Sequence, residues 1–127
     1  MKKIRPIFLI LIIIILVIFL DFITVNNTKN TVDFFNSELD NIDNILLKGE
    51  MPIDKINELE DEWEKRSRLM SYYLEHDEIE KIGNNFSLIQ KQIEIEDVDD
   101  ARQSIAETKF LFKHIEEKQI LNIENFF

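Results

Sequence analysis

At Ile7–Leu20 the chain reads IFLILIIIILVIFL, an unbroken run of 14 apolar side chains near the start of a 127-residue sequence. An α-helix rises about 1.5 Å per residue, so the run covers about 21 Å, whereas the hydrocarbon core of a bilayer is about 30 Å thick. Continuing the helix to Val25 nearly closes this gap and puts Asp21 near the outer edge. The sequence therefore predicts a transmembrane anchor over residues 7–25, with the lipid bilayer as its partner.

A cleaved signal peptide is the alternative to a permanent anchor, because it also combines a basic start with a short apolar run. Signal peptidase requires small residues before the cleavage site. After Leu20 the chain instead reads DFITVNN, and no cysteine is available for attachment of a lipid. We therefore predict that the anchor is retained.

The charges that flank the run predict its orientation. Lys2, Lys3 and Arg5 precede it, and positively charged flanks remain in the cytoplasm. Residues 1–6 are then a short cytoplasmic terminus, and residues 26–127 lie outside the cell membrane. Asp21 is interpreted as an interfacial carboxylate that reaches water, and the alternative is a functional acid within the membrane.

The remainder of the chain has the size of one domain and is strongly acidic. Of the 15 basic residues three precede the run, and of the 25 acidic residues one is Asp21, so the remaining 12 basic and 24 acidic residues give a formal charge of −12. Such a surface repels nucleic acid, which we exclude as a partner. Zero cysteines exclude disulfides and thiolate chemistry, so packing alone must hold the domain together.

Apolar residues then recur at steps of three and four, the period of an α-helix with one buried face. Thr31 can cap the first of these helices, Gly49 can end it, and Pro52 suits the first turn of the next. The pattern predicts helices over residues 31–48, 52–74, 77–95 and 98–115. The inward positions are Val32, Phe35, Leu39, Ile42 and Leu46, then Ile53, Ile56, Leu59, Trp63, Met70 and Tyr73 or Leu74, then Ile79, Ile82, Phe86, Ile89 and Ile93, and finally Val98, Ala101, Ile105, Thr108, Phe112 and Ile115.

Short connections force neighbouring helices to run antiparallel. The predicted fold is all-α: a single transmembrane helix followed by an antiparallel four-helix bundle or by two stacked helical hairpins. The apolar tail, with Ile120, Leu121, Ile123, Phe126 and Phe127, is expected to fold back over the bundle, because it is too apolar to remain in water.

Several stretches resemble a family known as domain of unknown function 4363. They are the basic and Ile-rich start, DEWEK at residues 61–65, HDEIEKI at 76–82, ETKFLFKHIEEK at 107–118 and LNIENFF at 121–127. The resemblance implies a small single-span bacterial membrane protein with a helical outer domain. It implies no activity and no catalytic residues or cofactor.

Two histidines are the only candidates for a metal site. In an antiparallel arrangement His76, before the third helix, and His114, near the end of the fourth, lie at the same end of the bundle. With the nearby acids they could bind a metal ion, but no two histidines have the spacing of a metal pair on one helix. Capping and dipole roles at helix ends explain them more simply, and we predict no metal or other cofactor.

No catalytic motif is present, since the chain has neither a Gly-rich phosphate loop nor a serine elbow. We therefore expect a binding or scaffold module, not an enzyme, whose acidic surface or apolar tail contacts another membrane or envelope protein. The alternative is an envelope sensor that binds a cation or small molecule at the His76/His114 end.

Overall fold

The computed structural model describes residues 4–126 and the side chains of residues 4–124. These residues form four α-helices: α1 (Ile4–Leu47), α2 (Ile53–Met70), α3 (His76–Glu94) and α4 (Val98–Phe126). Lys2 and Lys3 of the basic flank and Phe127 of the tail lie outside the described residues. The predicted all-α class is confirmed.

Helix α1 is one unbroken helix of 44 residues, about 66 Å long. We refer to residues 4–25 as the apolar segment of α1 and to residues 28–47 as its bundle segment. Every side chain from Ile4 to Leu20 is exposed, whereas the bundle segment has a buried stripe. Among the described helices, α1 alone has the length and composition to cross a membrane, features that an N-terminal signal sequence shares.

The prediction that a separate helix begins at Thr31 was wrong, because Thr31 lies buried in the middle of α1. No glycine or proline occurs between Ile7 and Lys48, so nothing in the sequence strongly interrupts the helix. Packing of α4 against α1 adds to this. The apolar segment and the bundle segment are therefore parts of one continuous helix.

The four helices form an up-down-up-down bundle in which α1 packs on α2 and α4, and α3 packs on α2 and α4. Side chains near the end of the bundle segment pair with those near the start of α4, as in the ion pair between Asp43 and Arg102. Likewise, the hydroxyl of Ser87 in α3 donates a hydrogen bond to Glu60 in α2 over 2.9 Å. With the contact between Asn57 of α2 and Gln90 of α3, these pairs show that neighbouring helices are antiparallel, and the single core that all four helices share favours a bundle.

Four aromatic rings, one from each helix, meet at the centre of the core. They are Phe35, Trp63, Phe86 and Phe112, and we call them the aromatic quartet. Phe35 and Phe112 stack with their planes 6° apart and their centroids 5.1 Å apart, and Trp63 meets both edge-on. Edge-to-face and stacked rings at such distances add to the free energy gained by burial.

The predicted core is largely confirmed, including the members singled out for structural roles. Buried side chains include all five inward positions of the bundle segment and all five of α3, and also Trp63 and Met70 of α2 and Ala101, Ile105, Phe112 and Ile115 of α4. Two predicted inward residues differ: Ile53 is exposed at the first turn of α2, and Val98 is only partly buried at the start of α4.

Both ends of the second predicted helix and the tail differ from expectation. Helix α2 ends at Met70, and residues 71–75 form the turn that lets α3 run back along it, so Tyr73 and Leu74 lie in a connection. The tail does not fold back over the bundle, because α4 continues as a helix to Phe126 and leaves Ile120 and Leu121 exposed. A residue inside a helix keeps its backbone hydrogen bonds, which a reversal of the chain would break.

Candidate functional site

The end of the bundle at which α1 enters it is held together by polar contacts between helices. The turn after α2 brings the Tyr73 hydroxyl to α1, where it accepts hydrogen bonds from Asn27 (2.9 Å) and from the buried Thr28 (3.1 Å). A tyrosine with a buried ring commonly bonds through its hydroxyl in this way. These bonds fix the direction in which α1 leaves the bundle.

The two histidines lie near the same end, as the antiparallel arrangement predicts, but they do not assemble a site together. His114 Nε2 lies 3.6 Å from Glu78 Oε1, and the His114 ring stacks on Phe110. His76 is the exposed first residue of α3. No hydrogen bond or ion pair joins the two histidines within the described part of the chain.

The ammonium group of Lys118 occupies the place beside two acidic side chains that a metal cation would need at this end of the bundle. Its ammonium group lies 2.9 Å from Glu75 and 3.1 Å from Glu78, which is mostly buried. The hydrogen bonds that Lys118 donates to Glu75 and then to Glu78 raise the pKa of Lys118, so the lysine remains charged. Residues 4–124 contain no group of three or more His, Cys, Asp or Glu side chains arranged to hold a metal ion.

A small cleft of about 180 Å³ lies beside this cluster, between α1, α4 and the turn after α2. Asp21 and Thr24 line it from α1, and Lys118 and Asn122 line it from α4. Asp21 is half-buried here. The residue predicted to mark the outer edge of the anchor therefore borders α4 and the polar end of the bundle.

A second surface feature is a groove of about 580 Å³ between α3 and α4, which we call the α3–α4 groove. Its lining residues are Lys81, Asn84, Asn85, Ala106, Glu107, Phe110 and Leu111. Phe110 is 70% exposed although it is a large aromatic residue. An open groove with an exposed ring, amides and both signs of charge suits a partner polypeptide better than a small molecule.

Phe110 and Leu111 are adjacent in α4 but lie in different environments. Leu111 packs against the core, whereas Phe110 faces water. Successive helical residues are about 100° apart, so Phe110 and Phe112 cannot share one face. This angular argument could have identified Phe110 as lying off the core face of α4.

The sequence profile of one family matches residues 22–126, which include the whole bundle, the α3–α4 groove and every residue that lines the small cleft except Asp21. The family is described as a domain of unknown function (DUF4363). The chain belongs to this family. The DUF4363 match begins at Phe22, so residues 4–21 of the apolar segment lie outside it. Neither curated proteins nor solved structures give a significant match to the chain.

Membership in DUF4363 confirms the resemblance seen in the sequence and assigns no activity. Of the predicted site residues, Ile7 and Leu20 are exposed in the apolar segment, as is Arg5 before it, whereas Ile79, Ile82 and Ile105 are buried in the core. Ile7 and Leu20 therefore expose apolar area that the bundle does not cover.

Proposed function

We propose that this DUF4363 protein is a membrane-anchored, extracytoplasmic binding module, not an enzyme, that contacts another membrane or envelope protein. The unbroken helix α1 carries this proposal, because its apolar segment exposes large apolar side chains on all sides and continues directly into the bundle. A helix that is apolar all round is stable in lipid and unfavourable in water. The bundle then has a fixed orientation relative to the anchor.

The orientation follows from charge. Basic residues precede the apolar segment, and the positive-inside preference places them in the cytoplasm. The acidic bundle then faces the space outside the cell membrane. There its charge keeps it away from anionic headgroups, except where an apolar or cationic surface draws it in.

The α3–α4 groove is the surface on which we place the partner. Its exposed Phe110 supplies apolar area at the centre, and Lys81 and Glu107 supply a charged rim. Protein interfaces commonly combine an aromatic centre with a polar rim. The aromatic quartet keeps α3 and α4 in place beneath it, so the groove is preformed.

Two experiments test the proposal in cells. Protease added to intact protoplasts should digest the bundle, and a bundle that is cut only after lysis would reverse the orientation. A photo-crosslinking amino acid at position 110 should then capture a reproducible protein partner, identified by mass spectrometry. The matched control is position 65 on α2, where Lys65 is also exposed. Equal labelling at both positions, or none at 110, would overturn the assignment of the groove.

A further inference from the structure

The register between α1 and α4 fixes how far α4 extends toward the membrane. Asp43 of α1 pairs with Arg102 of α4 at 2.8 Å. Further along, Ile123 of α4 and Phe22 of α1 line one apolar cleft together. Twenty-one residues separate Arg102 from Ile123 (102 to 123), and the same number separate Asp43 from Phe22 (43 to 22). The two helices therefore remain in step over about 31 Å.

This register places the end of α4 beside the outer edge of the apolar segment. Ile123 lines the cleft not only with Phe22 but also with Ile18 and Val25. In the same register Ile120 lies level with Val25, and Leu121 lies level with Thr24. If residues 7–25 span the bilayer, these levels belong to its outer interface.

The side chains at the end of α4 fit that environment and not water. Ile120 is 40% exposed and Leu121 is 57% exposed, although the rest of α4 buries its aliphatic side chains well. Between Gln119 and Phe126 the only charged residue is Glu124. A short apolar surface with few charges, continuous with a lipid-facing helix, is the type of surface that inserts at the headgroup boundary.

We propose that the last two turns of α4 form a second membrane contact, in which Ile120 and Leu121 enter the outer leaflet beside α1. This inference rests on the proposed anchoring by the apolar segment. The occupant of the exposed surface is lipid, because the surface is continuous with that segment through the cleft that Ile123 shares with it. Two contacts at one end of a rigid bundle restrain its tilt, which a single helix would leave free.

The absence of cysteine from the chain permits a direct test by spin labelling. The full-length protein is reconstituted in phosphatidylcholine vesicles with one nitroxide at Leu121→Cys, Phe110→Cys or Ile13→Cys. Collision rates with oxygen, which concentrates in lipid, and with a water-soluble nickel chelate are compared. Phe110 is the matched control on α4, because it is exposed and lies about 16 Å farther along the helix axis.

We expect the ratio of oxygen to nickel collision rates to be several-fold higher at position 121 than at position 110, and highest at position 13. An equal ratio at 121 and 110, with position 13 still in lipid, would overturn the second contact alone. Exclusion of both reagents at 121 would also overturn it, because protein and not lipid would then cover the site. A water-like label at position 13 would overturn the anchor itself and the second contact with it. Unchanged Trp63 fluorescence in all three proteins checks that the bundle is folded.

Discussion

The two segments of α1 have the same helical backbone, but their apolar side chains are in different environments. The apolar segment exposes nearly every side chain, because no other helix of the chain packs around it. The bundle segment buries one stripe, from Val32 to Leu46, against the other three helices. Continuity of helix therefore says nothing about the environment of each part, which is decided by whether apolar residues surround the helix or follow one face.

The comparison also shows why α1 need not break where its environment changes. Between the segments lie Asn26 and Asn27, which favour caps and turns but can be accommodated in a helix. Asn27 and Thr28 both donate hydrogen bonds to the Tyr73 hydroxyl, so the turn after α2 stabilises the junction. The continuous helix therefore relates the orientation of the bundle directly to that of the apolar segment.

An aspartate placed in each segment should impair a different property of the protein. In the bundle segment it should reduce the stability of the fold, and in the apolar segment it should reduce retention in membranes. This is the largest difference we expect. Ile42→Asp puts an unpaired carboxylate at a position that is 1% exposed, at a cost of several kcal/mol against a typical domain stability of about 5 to 15 kcal/mol. The bundle should lose its cooperative unfolding transition, measured by circular dichroism in detergent.

Ile13→Asp should instead leave that transition unchanged and reduce the fraction of protein that resists carbonate extraction from membranes. A carboxylate at the centre of a transmembrane helix costs about 2.5 to 3.5 kcal/mol. A fall in the melting temperature similar to that of Ile42→Asp would show that the apolar segment belongs to the folded core.

Removing one aromatic ring from each segment sharpens the comparison. Phe35→Ala takes a fully buried member out of the aromatic quartet, and we expect it to lower the free energy of unfolding by about 3 to 5 kcal/mol. Urea unfolding followed by Trp63 fluorescence measures this directly, because Trp63 contacts Phe35 and is the only tryptophan. Phe19→Ala is the control, since Phe19 is 58% exposed in the apolar segment. Equal losses from the two variants would contradict the division of α1.

The junction between the segments gives a smaller effect. Tyr73→Phe removes the acceptor for Asn27 and for the buried Thr28 hydroxyl, and should lower the free energy of unfolding by about 1 kcal/mol. Tyr72→Phe should have no effect, because Tyr72 is 86% exposed and makes no side-chain hydrogen bond within the described part of the chain. The same urea titration compares them. Indistinguishable variants would mean that the junction is not fastened by Tyr73.

The smallest effect concerns the polar end of the bundle and depends on pH. Glu75 and Glu78 raise the pKa of Lys118 in the folded state, so its contribution to stability is fully present below the ordinary lysine pKa. The contribution is lost as the pH rises through the raised pKa. We expect wild type to be slightly more stable than Lys118→Gln at neutral pH and to lose this advantage only in strong alkali.

Urea unfolding at several pH values tests this prediction. Lys113→Gln is the control, because the ammonium group of Lys113 lies within 4 Å of no carboxylate among the described side chains. An advantage of wild type over Lys118→Gln that disappears near neutral pH would contradict the assignment of this effect to Lys118.

Much of the bundle followed from periodicity, and the departures have physical causes. The stripes of the bundle segment and α3 were predicted residue by residue, because a spacing of three and four has only one helical interpretation. The ends of the elements were not. The extension of α4 to Phe126 depends on its packing beside α1, and nothing local in the sequence distinguishes this from a tail that folds back.

The sequence likewise predicted the candidate sites only in part. The sequence placed both histidines at one end of the bundle, because antiparallel helices require it. It could not show that Lys118 reaches Glu75 and Glu78, since which side chain fills a polar cluster depends on register and rotamers. The α3–α4 groove was likewise hidden, because exposure of Phe110 depends on how α3 and α4 face each other.

The sequence by itself determined that the chain has one long apolar helix, four amphipathic stripes and no cysteine, since composition and periodicity are local properties. Only the tertiary structure decided that the apolar segment and the first bundle helix are one helix, that one ring from each helix meets in the aromatic quartet, and that α4 ends level with the edge of the apolar segment. These features depend on contacts between residues far apart in the chain, and local spacing does not encode the register in which two helices pack.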